Sequence, residues 1–196
     1  EFLKAQSRES DFSYILPDDD ATYDEEITID LSKLVPLAAK PHMPDNVDTV
    51  KNIGKIKVDQ VAIGSCTNSS YMDMMKVAKI LKGKTVAEDV SLVISPGSRQ
   101  VLNMLSQNGA LADMISAGAR ILETACGPCI GMGQSPKTDA ISLRTFNRNF
   151  EGRSGTKSAQ VYLVSPETAA LSAINGYLSD PTELDISNEI EMPEKF

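Results

Sequence analysis

The sequence is poor in cysteine, in histidine and in long apolar runs, and each shortage excludes a class of protein. Cysteine occurs three times in 196 residues, and an odd number argues against a closed disulfide framework. Three unpaired thiols fit a reducing, cytosol-like compartment. No apolar run approaches the about 20 residues that a membrane-spanning helix needs. Neither a secretory signal nor an initiator methionine stands at Glu1, so we expect a fragment of a cytoplasmic protein with no membrane partner.

Positive charge is also in short supply. The chain carries 19 lysines and arginines against 27 aspartates and glutamates, a formal net charge of −8. Surfaces that bind nucleic acid are normally basic, so we do not expect nucleic acid among the partners. A site for a polycarboxylate substrate would have to build its own local positive potential from a few arginines placed close together.

Strand and helix patterns alternate along most of the chain. Short β-branched runs end at glycine or at polar loops, and the amphipathic segments between them begin at serine caps and end at glycine. The predicted strands are residues 26–30, 57–63, 90–94, 119–122, 140–145 and 160–164, and the predicted helices are residues 71–82, 99–107, 111–117 and 166–175. This alternation predicts an α/β fold, a three-layer αβα domain with a mostly parallel sheet.

The two ends of the chain differ from its middle. Residues 1–25 are polar and acidic without a sustained period, and residues 179–196 are acidic and contain two prolines. We therefore expect a polar N-terminal arm over 1–25, one α/β domain over 26–178 and an acidic C-terminal linker over 179–196. Three prolines between residues 34 and 47 predict an extended crossing segment rather than a helix.

Two of the three cysteines stand close together. Cys126 and Cys129 enclose Gly127 and Pro128, and thiolates at this spacing can both bind one metal centre. The glycine permits close approach of the backbone, and the proline stiffens the turn. By itself this Cys-x-x-Cys motif is open to three interpretations: a thiol–disulfide redox pair, part of a metal site, or an inert loop.

The third cysteine, Cys66, lies in the sequence Ile-Gly-Ser-Cys-Thr-Asn-Ser-Ser, residues 63–70. Gly64 and Ser65 leave room for a bulky group, and the polar residues that follow offer donors to sulfur or to a substrate. The alternative is a serine-rich turn that caps the next helix around one buried cysteine. A cluster held by three thiolates would keep one iron open to exogenous ligands.

A second polar motif, Phe-Asn-Arg-Asn-Phe-Glu-Gly-Arg, occupies residues 146–153. Arg148 and Arg153 could clamp the carboxylates of a substrate, because the planar guanidinium matches a carboxylate through two parallel hydrogen bonds. Asn147 and Asn149 could cap the cluster or fix the loop. The alternative is a surface loop whose arginines pair with nearby glutamates.

The only histidine, His42, lies in the proline-rich segment and could supply a fourth metal ligand. The cysteine and arginine motifs, by contrast, each follow a predicted strand. Open α/β sheets bind ligands beyond the carboxyl ends of their strands. We therefore expect the three cysteines and the loop over 147–153 to converge at that edge of the sheet.

Taken together, the motifs resemble those of the aconitase family of iron–sulfur hydro-lyases. The match rests on Gly-Ser-Cys-Thr-Asn-Ser-Ser at residues 64–70, Ala-Cys-Gly-Pro-Cys-Ile-Gly at 125–131, Asn-Arg-Asn-Phe-Glu-Gly-Arg at 147–153 and Val-Ser-Pro-Glu at 164–167. Their order and separation resemble the third domain of the family, from about residue 23 to residue 180. The Gly-Pro between the paired cysteines resembles aconitases more than the isopropylmalate dehydratase branch.

The resemblance implies a [4Fe–4S] cluster bound by Cys66, Cys126 and Cys129. It also implies that Arg148 and Arg153 bind substrate carboxylates and that Asn147 lies beside the cluster. The fourth iron would act as a Lewis acid in the reversible conversion of a tricarboxylate, citrate, to isocitrate through cis-aconitate. In a eukaryote the compartment would be the mitochondrial matrix.

The sequence also lacks much of what the family possesses. Family members are far longer, and their other domains supply the catalytic base, histidine–acid pairs and further arginines. We therefore expect the chain to act with the remaining domains of a parent enzyme and to turn over negligibly alone. Related hydro-lyases of homoaconitate, isopropylmalate or methylcitrate share the clamp residues and are an alternative. A noncatalytic metal- or RNA-binding module is another, which the acidic balance disfavours.

Overall fold

The computed structural model describes residues 1–184 and 190–193. The C-terminal linker predicted over 179–196 therefore falls partly on residues outside the described chain. The described chain divides into two compact units, whose main division falls between Leu34 and Val35. The predicted domain boundaries stay predictions.

The first unit comprises Glu1–Leu34 and the last described residues. It contains α1, Phe2–Ala5, and two short 3-10 helices. The strand predicted over 26–30 is wrong, because none of these residues lies in a strand and Ile27 and Ile29 are 76% and 64% exposed. An alternating pattern produces a stable strand only where other strands pair with it and cover its apolar face.

The second unit is built on a sheet of seven strands within the described residues. The strands are β1, Leu37–Ala39; β2, Val47–Thr49; β3, Gln60–Gly64; β4, Ser91–Ser95; β5, Arg120–Ile121; β6, Ile141–Arg144; and β7, Gln160–Leu163. Their spatial order is β2-β1-β7-β6-β3-β4-β5. The strands from β3 to β7 pair in parallel, whereas β1 pairs antiparallel with both β2 and β7. The predicted α/β fold with a mostly parallel sheet is confirmed.

A layer of helices packs on this sheet. The helices of the second unit are α2, Val50–Ile53; α3, Tyr71–Leu81; α4, Arg99–Gln107; α5, Ala110–Ser116; and α6, Pro166–Asn175. α6 packs on β3 and on α3, and α3 packs in turn on α4 and α5. In the described part of the chain, no helix has the length and apolar character that crossing a membrane requires.

The segment after β5 covers part of one face of the sheet. Every residue of β3 is buried, as is usual for a central parallel strand covered on both faces. Ala62 of β3 and Val93 of β4 pack against Leu122 and Cys129, which belong to the segment after β5. This segment therefore takes the place that a helix would occupy in a regular three-layer domain.

Capping residues explain where α3 and α6 begin and end. The Ser70 hydroxyl accepts from the Asp73 N–H (3.2 Å) while the Asp73 carboxylate accepts from the Ser70 N–H (3.0 Å), a capping box that starts α3. Ser165 caps α6, Pro166 occupies its first position, and Gly176 ends it at φ +78°, a conformation that favours glycine. The predicted bounds of both helices are confirmed to within one residue.

The order of the parallel strands creates a crevice. From β3 the chain runs outward through β4 to β5, then returns past β3 to β6 and continues outward to β7 on the other side. Where connections leave two adjacent strands in opposite directions, a ligand crevice opens beyond their carboxyl ends. Here that point lies between β3, which ends at Gly64, and β6, which ends at Arg144.

A half-buried ion pair between α3 and α6 gives the fold a testable pH dependence. Lys76 Nζ lies 3.0 Å from Glu167 Oε1. Burial raises the pKa of Glu167, but the hydrogen bond from Lys76 and further favourable interactions outweigh it and leave the pKa below its ordinary 4.5. The pair therefore stabilises the fold above that pH, and the effect is lost as the pH falls through the lowered pKa.

We expect Glu167→Gln to lower the free energy of unfolding by about 1 kcal/mol at pH 7, and the difference to shrink as the pH falls below 4.5, as measured by urea unfolding. Asp89→Asn is the matched control, because its ion pair with Lys57 is largely exposed and should have a smaller effect. An equal loss in both variants, or no pH dependence in the first, would contradict this account.

Candidate metal centre

The segment that leaves β3 is held tightly against its neighbours. Gly64 turns at φ +121°, and a Cβ there would overlap the carbonyl oxygen of Ser95 on β4. The Gly64 N–H donates to Thr145 Oγ1 (2.8 Å) just after β6, and Ser65 follows at φ +67°. The chain thus leaves the sheet at the crevice. Cys66 is exposed there, so the buried cysteine of the alternative interpretation is wrong, although the serine turn does cap α3 through Ser70.

Polar side chains fix the shape of the Cys66 loop. Asn68 Nδ2 donates to the carbonyl of Thr145 (2.5 Å), and the Ser69 hydroxyl donates to a backbone carbonyl of its own loop. Thr67 Oγ1 lies 3.8 Å from Cys66 Sγ, within range of a weak hydrogen bond to sulfur. Of the side chains predicted to donate to sulfur or to a substrate, only Thr67 lies beside the cysteine. Asn68 and Ser69 donate instead to backbone carbonyls.

The paired cysteines lie on a short turn after β5. Cys126 precedes the 3-10 helix Gly127–Ile130 and is exposed, and the Cys129 N–H donates to the Cys126 carbonyl (3.1 Å). Cys129 is half-buried and packs on Ala62 and Val93. The turn therefore reaches back from the edge strand β5 over β4 and β3, toward the crevice where Cys66 lies.

The three thiols lie toward the end of β3, because Cys129 packs on Ala62 of that strand and Cys66 follows the same strand. Burial, the largest influence, raises the pKa of Cys129, and the charges of Cys126 and Cys66 raise it further. The Ser65 hydroxyl and the Arg144 guanidinium act in the opposite direction. The cysteine segments thus lie at the same edge of the sheet, and the predicted convergence of all three thiols with the loop over 147–153 stays a prediction.

The thiols are not spaced as the ligands of a single ion. Among the described residues, no three cysteine, histidine, aspartate or glutamate side chains form a group that could hold one metal ion. A zinc ion needs each sulfur at about 2.3 Å from the metal. An iron–sulfur cube spreads its thiolates over several iron atoms and so requires a wider spacing.

The surroundings of Cys129 also fit an inorganic cluster. Ser65 Oγ is buried and makes no hydrogen bond of normal geometry within the described chain, although it lies close enough to Cys129 to lower the pKa of that thiol. A hydroxyl in this position can donate to a thiolate or to an inorganic sulfide. Because the other two thiols are exposed, the residues present can accept a [4Fe–4S] cluster.

A residue missed by sequence reasoning lies under the paired cysteines. Arg144, the last residue of β6, is 0% exposed, and its Nη1 donates to the carbonyl of Pro128 (2.5 Å), between Cys126 and Cys129. Burial lowers the pKa of Arg144 to about 10, whereas the charge of Cys129 acts to raise it. A charged residue inside the strand predicted over 140–145 was the available signal, because arginine is rarely fully buried without a partner.

A buried polar layer surrounds the Arg144 guanidinium. Its Nη2 donates to Gln60 Oε1 (2.9 Å) on β3, and its Nε donates to Ser142 Oγ (3.1 Å) on β6. The Ser142 hydroxyl donates to the same Gln60 oxygen (2.8 Å). Gln60 Nε2 donates to the carbonyl of Ser135 (3.0 Å), beyond the cysteine turn. These bonds tie the cysteine segment to β3 and β6, and they satisfy the polar groups that the fold buries.

The loop after β6 is anchored by one asparagine. Asn149 is fully buried, and its Nδ2 donates to the carbonyls of Lys40 (2.8 Å) and Val161 (3.2 Å). Of the two roles predicted for it, Asn149 therefore fixes the loop. Asn147 and Arg148 are exposed, which leaves both side chains available to a ligand.

Neither arginine of the proposed clamp is paired with an acidic side chain. In the part of the chain that the structure describes, no ion pair involves Arg148 or Arg153, which disfavours the alternative of paired surface arginines. Arg153 Nε is buried and has no hydrogen-bond partner there. A buried N–H without a protein acceptor favours binding of an anion, since leaving it unsatisfied costs free energy.

Two glycines join the cysteine segment to the arginine loop. Gly131 adopts φ +80°, and a Cβ on it would overlap the carbonyl of Ser154 and lie 2.7 Å from the Cα of Gly155. The Ser135 hydroxyl donates to the Gly131 carbonyl (2.7 Å) at the same point. The two segments therefore touch backbone to backbone, and this contact sets how far the cysteines stand from the arginines.

His42 lies away from the paired cysteines. It falls in the turn between β1 and β2, toward the edge of the sheet opposite β5. Its Nδ1 is buried and has no hydrogen-bond partner within the described chain. The role of fourth metal ligand stays a prediction that this placement does not favour.

Comparison with known proteins matches the region that holds these motifs. Residues 48–176 match the model of the aconitase family (aconitate hydratase). The chain is 43% identical to the 3-isopropylmalate dehydratase large subunit 2 of Archaeoglobus fulgidus, over 93% of the chain and 44% of that protein. It is 46% identical to large subunit 1 of the same enzyme from Methanopyrus kandleri, over 84% of the chain and 40% of that protein. The chain thus spans less than half the length of these relatives.

The contact between Gly131 and Gly155 can be tested against a neighbouring glycine. Gly133 has a similar φ, +75°, but a Cβ there would meet nothing within 4 Å. Both alanine substitutions force an L-residue into the left-handed region, and only Gly131→Ala adds a clash. We expect Gly131→Ala to be the more destabilising by about 1–3 kcal/mol, measured by urea unfolding. Equal losses in the two variants would contradict the close contact.

Proposed function

The chain belongs to the aconitase family, and from this membership we propose that it is the cluster-binding part of an iron–sulfur hydro-lyase. The cofactor of the family is a [4Fe–4S] cluster, and the proposed ligands are Cys66, Cys126 and Cys129. The supporting observation is that Cys129 packs on Ala62 of β3 and Val93 of β4, at the end of the sheet where the exposed Cys66 leaves β3. All three follow the carboxyl ends of parallel strands, where α/β sheets bind their ligands.

The number of cysteine ligands determines which chemistry we assign to the cluster and which to the side chains of the protein. With Cys66, Cys126 and Cys129 as its ligands, the cluster would keep one iron free of protein ligands and would supply a Lewis acid toward a substrate hydroxyl. The residues of the chain bind and orient the substrate. We assign Arg148 and Arg153 to its carboxylates, because both are free of ion pairs within the described residues and a guanidinium binds a carboxylate in a fixed orientation. Asn147, exposed beside Arg148, is assigned to the edge of the cluster.

The rest of the catalytic apparatus is proposed to come from outside these 196 residues. The chain covers 40–44% of the relatives reported above, and its single histidine lies toward the far edge of the sheet. We therefore propose that the catalytic base belongs to other domains and that the chain alone turns over no substrate. Because those relatives are named large subunits, a second subunit is a further proposed partner.

The substrate is proposed to be a hydroxylated di- or tricarboxylate. The relatives are isopropylmalate dehydratases, which favours an isopropylmalate and does not support the expectation of citrate drawn from Gly127 and Pro128. The description of the matching family model, aconitate hydratase, keeps citrate as the second candidate. Both compounds carry carboxylates that two arginines could bind.

Anaerobic reconstitution with iron and sulfide tests the ligand set. We expect broad visible absorption and about four irons per chain, with stable assembly lost in Cys66→Ser, Cys126→Ser or Cys129→Ser. Lys157→Ala is the control, because this exposed residue supplies no thiolate and lies outside the cysteine segments. Full iron content in any of the three cysteine variants would remove that cysteine from the ligand set.

Steady-state kinetics of the complete enzyme test the substrate and the clamp. We expect a higher kcat/KM for isopropylmalate than for citrate. Arg153→Lys should lower kcat/KM by roughly 10- to 100-fold, because it removes a charge-assisted hydrogen bond worth about 1.5–3 kcal/mol. Lys157→Ala, at an exposed position near the same loop, should leave it unchanged. Preference for citrate would establish the second candidate, and an unchanged Arg153→Lys enzyme would contradict the clamp.

A further inference from the structure

Arg144 carries a charge that the described protein leaves without a carboxylate. It is the largest of the fully buried side chains, and its three acceptors are a backbone carbonyl, an amide oxygen and a hydroxyl. No ion pair within the described residues includes it. Neutral acceptors satisfy the N–H groups, but they do not neutralise the charge, and a buried charge without an opposite charge is strongly disfavoured.

One ionisable group offers this opposite charge. Cys129 lies one residue beyond Pro128, whose carbonyl accepts from the guanidinium, and it packs on Ala62, which pairs with Arg144 across the sheet. A thiolate bound to iron keeps its negative charge whatever the pH near neutrality. The buried cation is therefore balanced when Cys129 serves as a cluster ligand.

The hydrogen bonds of Arg144 also fix geometry. Nη1 holds the middle of the turn between Cys126 and Cys129, Nη2 holds β3, from which the Cys66 loop departs, and Nε holds β6. A single planar group with donors in a fixed fork thereby spans the two segments that carry the thiols. A lysine could keep the charge but could not reach all three acceptors in these directions.

We propose that Arg144 is a positioning residue for the iron–sulfur cluster, which fixes the paired cysteines relative to Cys66 and supplies a buried counter-charge to the ligand Cys129. The inference rests on the proposed function, since it presupposes a cluster on the three cysteines. A fixed positive charge beside a cluster favours its reduced, more negative form and so raises the reduction potential. A fixed turn slows loss of iron, because outer groups that orient metal ligands contribute to affinity.

The test compares Arg144→Met and Arg144→Lys with wild type and with Arg120→Met in the complete protein. Arg120 is a matched control, since its Nη1 donates to the carbonyl of Gly133 (3.0 Å) in the same segment, but its side chain is exposed. After anaerobic reconstitution, the rate of iron release to a chelator and the reduction potential are measured. Neither readout requires turnover.

We expect Arg144→Met to release iron about 10- to 100-fold faster and to shift the reduction potential to more negative values. Arg144→Lys should also release iron faster but keep a potential near that of wild type, because it retains the charge. Arg120→Met should change neither. If Arg144→Met fails to fold, the Arg144→Lys variant is the test. An iron-release rate equal to that of wild type would contradict the positioning role. A reduction potential far more negative than that of wild type would contradict the role of the positive charge.

The two proposals fail in different ways. A wild-type protein that takes up no cluster, or a Cys66→Ser variant that retains it, would contradict the proposed function. A wild-type protein that holds the cluster through its three cysteines, together with an Arg144→Met variant equal to it in iron release and potential, would contradict only the role of Arg144.

Discussion

The parallel pairing of β3 with β6 is the constraint on which the candidate site depends. It sets Gln60 beside Ser142 and Ala62 beside Arg144, so that the guanidinium and its amide acceptor lie on the same face of the sheet. It also places the end of β3 against Thr145, whose hydroxyl and carbonyl hold the Cys66 loop. A slip of one residue would turn every side chain of β6 to the other face.

The site combines apolar and polar burial on one face of the sheet. Cys129 packs on Ala62 and Val93. On the same face, the buried hydrogen bonds of Arg144 to Pro128 and Gln60 lie under the cysteine turn. Close packing accounts for the first contact and complete hydrogen bonding for the second. The segment after β5 forms only one 3-10 turn, and side chains satisfy its carbonyls at Pro128 and Ser135, so these bonds help to set the position of the thiols.

Local sequence patterns correctly predicted the elements whose defining residues are close together in the sequence. The capping box at Ser70, the Ser165-Pro166 start of α6 and the cysteine motifs each depend on residues close in sequence, and they could be interpreted without a fold. The strand expected over 26–30 failed because β-structure depends on a partner that no local pattern reveals. The Arg144 network was missed because its acceptors Gln60 and Pro128 are 84 and 16 residues away. The contact of Gly131 with Gly155 is likewise a product of tertiary packing.

The central claim is that three thiolates hold one cube and leave one iron without a protein ligand. Mössbauer spectroscopy of protein reconstituted with the iron-57 isotope, with and without a hydroxylated polycarboxylate, tests it most directly. The account predicts one iron environment distinct from that of the remaining irons, and a change confined to that iron when the polycarboxylate binds. Equivalent irons, or a spectrum indifferent to the ligand, would contradict it.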